Sequence, residues 1–200
     1  MPAKPFGAAF AVAVFVAALY ALEFLDIIVP VDLEANGIYP REIHGLDGIL
    51  WSPLLHAGWA HLLANTVPIL VLGWLTMAGG ARQFVAVTAL VWILGGVGTW
   101  LVGSEGNHIG ASGLAFGWLV FLLVRGFFTR SFAQIAVALV LFFYWGGMLW
   151  GVLPGRPGVS WEAHLFGALG GLLAARLVAA GDRRANTRAR GSRSTGRMSA

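Results

Sequence analysis

Apolar residues fill six long stretches of this chain, and short polar segments between them hold most of its charge. The first stretch is Pro5–Leu22, between Lys4 and Glu23. After a polar segment from about Pro30 to Asp47 comes Gly58–Gly79, which carries His61, Asn65 and Pro68. A third stretch lies between Arg82 and Glu105, and a fourth starts near Gly110 and ends by Arg125 or Phe128. The fifth lies between Arg130 and Arg156, and the sixth runs from about His164 to Ala180. Each is close to the ~20 apolar residues that a helix needs to cross a bilayer. The pattern predicts an all-α membrane protein with six transmembrane helices in one domain, residues 1–181. The first stretch continues into Glu23-Phe-Leu-Asp26 without a small-residue cleavage site, so it reads as a retained helix rather than a signal peptide.

Composition narrows the class further. Hydrophobic residues make up 58% of the chain and charged residues 11%, against roughly 25% charged in a soluble domain. Mean hydropathy is +0.77. A soluble globule of this make-up would expose large apolar patches, which argues against a soluble enzyme, a disordered regulator or a nucleic-acid-binding module. The absence of cysteine rules out disulfides, a thiolate nucleophile, an iron–sulfur cluster and a Cys-ligated zinc.

The net charge of +4 is unevenly placed. Arg183, Arg184, Arg188, Arg190, Arg193 and Arg197 all follow Asp182, in a segment rich in Ser, Gly and Thr. Residues 182–200 therefore read as a basic, disordered tail, with anionic lipid a better partner than nucleic acid. If the N-terminus lies inside, Lys4, Arg82, Arg125, Arg130, Arg176 and the six tail arginines share the cytoplasmic side, leaving Arg41 and Arg156 outside. Every acid except Asp182 falls on or near the outer side. The positive-inside rule then predicts an N-in, C-in multi-pass protein of the plasma membrane.

Polar side chains within the spans are expensive and so are functional candidates. His61 and Asn65 open the second span, Gly110-Ala-Ser112-Gly113 the fourth, and Ala163-His164 the sixth. These three spans run in one direction, so their openings lie at one depth and can converge. A serine hydroxyl becomes an effective nucleophile when a neighbouring base takes its proton, and histidine is suited to that role. A helix N-terminus at Ser112 offers free backbone N–H groups to an oxyanion. His61 and Asn65, four residues apart, share a helix face and can both donate to it. Gly110 and Gly113 leave room for a substrate backbone. No Asp within the spans is placed to orient His164, which favours a Ser–His dyad. Each residue also has a plainer reading. Ser112 can be a small packing residue, and Gly167 and Gly171 form a GxxxG helix-packing pattern. Pro68 reads as a tolerated kink. His44 and His108 read as solvated or loop-packing groups, and His56 as a hydrogen-bonding loop residue.

Taken together, His56, His61 and Asn65, then Gly110-Ala-Ser112-Gly113, then Ala163-His164 with Gly167 and Gly171, resemble the rhomboid family of intramembrane serine proteases. The likeness covers about residues 5–180 and implies a six-helix rhomboid-like bundle. It implies Ser112 as nucleophile and His164 as general base. The oxyanion hole would be His61, Asn65 and the Ser112 N–H. It also implies transmembrane-protein substrates cut near their ends, after a small residue, without metal or cofactor, on the extracytoplasmic side. Residues 30–47 would form the family's first loop and the fifth span its lateral gate. Phe116, four residues after the serine, stands where an aromatic ring often stacks on the catalytic histidine. The first loop departs from the pattern: Tyr39-Pro-Arg41-Glu42 replaces the Trp-Arg pair of some bacterial members. A non-catalytic rhomboid-like binder or chaperone of membrane segments is the alternative, although such relatives typically lack the serine or the histidine. A zinc protease would need a motif such as His-Glu-x-x-His, which is missing. A transporter would show internal repeats and midplane charges. Oligomeric state is not legible in the sequence.

Overall fold

A computed structural model describes the backbone of residues 1–198 and the side chains of residues 1–185 and 187. The chain is helical nearly throughout. Helix α1 is Pro5–Ile28, α2 the single turn Gly48–Trp51, α3 Trp59–Thr76, α4 Ala81–Val102, α5 Ser112–Thr129, α6 Phe132–Trp145 and α7 Trp161–Met198. Among the described residues, six helical segments are long and apolar enough to cross a membrane; α2 is not one of them.

Two helices run past the limits the hydropathy pattern predicts. Helix α1 continues beyond Leu22 to Ile28 because its acids are accommodated: Glu23 is buried against the bundle, and Asp26 accepts the Leu33 N–H at 2.6 Å. Helix α7 starts at Trp161 and continues to Met198. The backbone of 182–198 is thus helix where a disordered tail is expected. Ser199 and Ala200 lie outside the described residues. The fifth span is composite, with α6 giving way to a 3₁₀ segment, Gly146–Val152.

Helix α5 is the central element. Trp118, Leu119 and Phe121 are fully buried on it, and α4 and α7 pack against it. The α5–α7 contact is made backbone to backbone. A Cβ at Gly167 would overlap the Gly113 carbonyl oxygen, and one at Gly171 would overlap that of Gly117. Lipid gives helices no hydrophobic reason to associate, so small residues that allow close van der Waals packing carry this contact. It brings the first turns of α5 and α7 side by side.

The loop between α1 and α3 is built of short 3₁₀ turns and leans on α4. The Arg41 guanidinium donates to the Gly103 carbonyl at 2.7 Å, and Trp100 Nε1 donates to the Glu42 carbonyl at 2.9 Å. Arg41 thus anchors the loop despite the missing Trp-Arg pair. Ile38 and His108 exchange both backbone hydrogen bonds, at 3.0 and 2.9 Å, which fixes the loop to the segment entering α5.

Candidate active site

Ser112 is the first residue of α5. The approach to it turns through Gly110 at φ +120°, a backbone region that favours glycine. A side chain there would also strike the His61 ring. The turn is held from below. Gly110 N–H donates to the Ser52 carbonyl at 2.8 Å, and Ala111 N–H to His56 Nε2 at 3.3 Å. As the first residue of a helix should, Ser112 keeps its N–H without a backbone acceptor among the described residues.

His164 sits one turn into α7 and is buried. Its Nε2 lies 2.8 Å from Ser112 Oγ. Its Nδ1 lies 3.0 Å from the Gly151 carbonyl oxygen. A carbonyl can only accept, so Nδ1 carries the proton and Nε2 presents a lone pair to the serine hydroxyl. Phe116 stacks on the ring, with centroids 4.0 Å apart and planes 6° from parallel. The ring is therefore held on one face and at both nitrogens.

Opposite stand His61 and Asn65 on α3. His61 Nδ1 accepts the Ala57 N–H at 3.3 Å, which leaves the proton on Nε2. Asn65 spends one amide hydrogen on the His61 carbonyl at 3.0 Å and keeps a second. Ser112, His164, His61 and Asn65 all line one open cavity of about 710 Å³, whose wall also includes Phe116 and Arg156. The four polar residues singled out from the sequence therefore meet at one end of the bundle. Gly113, Gly167 and Gly171 serve the helix contact that brings them together.

His56 does not line the cavity. It lies beneath it, buried, with its ring edge-on to His61 at 5.1 Å. Burial, reinforced by the adjacent His61, pushes its pKa down to about 4 against a smaller opposing pull from the Leu54 backbone. It is a neutral acceptor for Ala111. His44 is exposed and pairs with Glu42 at 3.4 Å.

Several residues of the site carry no sequence signal strong enough to mark them. Gly151 acts through its carbonyl, which no residue type announces. His108 is buried, with Nδ1 2.6 Å from Ser160 Oγ and Nε2 2.8 Å from the Ser104 carbonyl. Glu162 is 1% exposed, and its Oε1 accepts the Ser104 N–H at 2.7 Å. Ser160 Oγ in turn accepts the Ala163 N–H at 3.4 Å. This network joins the loop before Ser112 to the first turn of α7. Its members fall in polar connecting segments or at a span edge, where an isolated Ser, His or Glu is unremarkable. Among the described residues, no group of three or more His, Asp and Glu side chains is arranged to hold a metal.

The family model for the Rhomboid domain matches residues 45–181, which include every residue of this site. The chain belongs to the rhomboid family. This rhomboid is 51% identical over 180 residues to a Mycobacterium tuberculosis (strain ATCC 25618 / H37Rv) protein named "Uncharacterized protein Rv1337", covering 86% of this chain and 75% of that one. It is 32% identical over 127 residues to YdcA of Bacillus subtilis (strain 168), provisionally named a rhomboid protease, covering 60% and 61% of the two chains. Against "Rhomboid-like protease 5" of Toxoplasma gondii, identity is 31% over 156 residues, or 70% of this rhomboid and 17% of the longer protein.

Proposed function

We propose that this rhomboid is an intramembrane serine endopeptidase that cuts transmembrane proteins near one membrane surface. The observation that carries the reading is the 2.8 Å contact between His164 Nε2 and Ser112 Oγ, with the opposite ring nitrogen tied to a carbonyl. In this reading Ser112 Oγ attacks the scissile carbonyl carbon as His164 Nε2 takes the hydroxyl proton. Negative charge gathers on the former carbonyl oxygen, facing the Ser112 N–H, His61 Nε2–H and the free Asn65 amide hydrogen. Collapse breaks the C–N bond, and the imidazolium gives its proton to the leaving amine. A water, deprotonated by the same imidazole, then hydrolyses the acyl-serine and frees the enzyme.

The end of the bundle that bears Lys4, Arg82, Arg125, Arg130 and Arg176 is assigned to the cytoplasm by the positive-inside rule. The cavity then opens to the extracytoplasmic side of the plasma membrane, and the basic segment after Asp182 lies against anionic lipid.

The test is reconstitution in liposomes with a transmembrane reporter substrate and a fluorophosphonate probe. Wild type should cleave the reporter and label at Ser112; Ser112→Ala and His164→Ala should do neither while remaining folded. A folded wild type that neither cleaves nor labels would instead favour a rhomboid-like binder of membrane segments.

A further inference from the structure

The end of the bundle away from Ser112 holds a second candidate site. Arg125, about one turn before the end of α5, is partly buried beside α3 and α6, with its guanidinium 5.5 Å over the Phe121 ring. Its Nε is buried and has no hydrogen-bond acceptor among the described residues. It lines a cavity of about 310 Å³ together with Ser131 and Gln134. Gln134 also lines an adjoining cavity of about 790 Å³ that holds Arg130 and Arg183. Asp182, the sole acid on this end, lines that second cavity as well, but among the described residues it lies within ion-pair distance of none of these arginines.

The polar pocket does not stand alone. Leu75 and Val137 belong both to its wall and to a groove of about 510 Å³ that climbs between α3 and α6 to Tyr144 and Trp145. From Val137 to Tyr144 this is about 10 Å of helix. The groove presents no polar surface. A cationic pocket with unused donors, continuous with a wholly apolar channel, matches one ligand class in both halves.

We propose that this site binds an anionic glycerophospholipid. Its phosphodiester sits on Arg125, Ser131 and Gln134, and one acyl chain lies in the α3–α6 groove. Arginine presents a fork of donors suited to phosphate oxygens. Water cannot fill the groove, which offers it no partners. A transmembrane peptide could fill the groove but brings no anion to Arg125. The top of the groove reaches Trp145, which also lines the Ser112 cavity, so the lipid and anything entering between α3 and α6 share a wall.

The experiment uses the full chain in phosphatidylcholine nanodiscs doped with phosphatidylglycerol, with retained lipid read by native mass spectrometry. Wild type should hold phosphatidylglycerol about fivefold or more over phosphatidylcholine, as expected for one cation near a phosphate of net charge. Arg125→Gln should erase that preference and Arg125→Lys keep part of it. Val137→Trp, which fills the groove and leaves the arginine intact, should lower retention of both lipids. Thermal unfolding of each variant separates lost binding from lost fold. Equal retention of the two lipids by wild type overturns the proposal, as does an undiminished preference in folded Arg125→Gln. So does displacement of the lipid by millimolar inorganic phosphate, which would mark a simple anion site. Displacement by a transmembrane peptide that cross-links at Val137 would assign the groove to peptide and likewise overturn it. None of these readouts depends on proteolysis.

Discussion

The Gly151 carbonyl oxygen lies 3.0 Å from His164 Nδ1, and the Gly151 Cα faces the same ring. One glycine thus sets the tautomer of the imidazole and leaves space for it beside Phe116. A Cβ at position 151 would stand 2.8 Å from Phe116 Cζ and 3.2 Å from His164 Nδ1. Gly151→Ala should displace the stacked pair by a few tenths of an ångström and lengthen the contact with Ser112. The expected result is a fall in kcat of about ten- to a hundredfold with KM nearly unchanged. Steady-state cleavage of a transmembrane reporter in liposomes measures both constants, and an unchanged kcat would refute the positioning role.

The link between the Ser112 loop and α7 gives a prediction about stability. Glu162 Oε1 is the acceptor for the Ser104 N–H. Glu162→Gln keeps a carbonyl oxygen at that place and should be mild. Glu162→Leu removes the acceptor and should destabilise by about 1.5–3 kcal/mol, the usual worth of a hydrogen bond to a charged group. Unfolding in mixed micelles compares the two, and a Gln variant as unstable as the Leu variant would show that charge, not the hydrogen bond, is what matters.

How much of this site the sequence discloses depends on the kind of group involved. Ser112, His164, His61 and Asn65 are legible because each is a polar side chain in an apolar run, where burial without purpose is costly. Their shared depth follows from span direction alone. Gly151 is illegible because its contribution is a backbone atom in a 3₁₀ segment that hydropathy merges with α6. His108 is readable only as a loop histidine, since its partners are a backbone carbonyl of its own connection, at Ser104, and the Ser160 hydroxyl from the connection before α7. The extent of α7 is not legible for a different reason: hydropathy reports where an apolar span ends, and the helical backbone runs past that point.

His56 predicts a pH effect on stability. Its pKa in the folded chain is about 4, against ~6.5 for an ordinary imidazole. Between these values the unfolded chain binds a proton that the folded chain does not. Stability should therefore be unaffected by His56 above about pH 6.5 and decline as the pH falls from there toward 4. His56→Gln can still accept the Ala111 N–H but does not titrate, so its stability should vary less with pH across that window. Unfolding midpoints at pH 7 and pH 5 for both proteins provide the comparison; equal slopes would mean that His56 does not contribute.

The α5–α7 contact predicts coupling between packing and chemistry. Gly167→Ala would place a methyl group against the Gly113 carbonyl, one residue from Ser112, whereas Gly171→Ala would place it against Gly117, one turn further from the site. Both should destabilise the bundle by about 1–3 kcal/mol through overpacking. Their effects on Ser112 should differ. The methyl at 167 pushes directly between the first turns of α5 and α7 and should widen the Ser112–His164 distance, while the one at 171 acts deeper, where the helices can part without moving the imidazole as far. Fluorophosphonate labelling rates, measured where both variants are fully folded, should fall more for Gly167→Ala. Equal rates would mean that the loop network around His108 and Glu162 alone, rather than the glycine contact, holds the base on the serine.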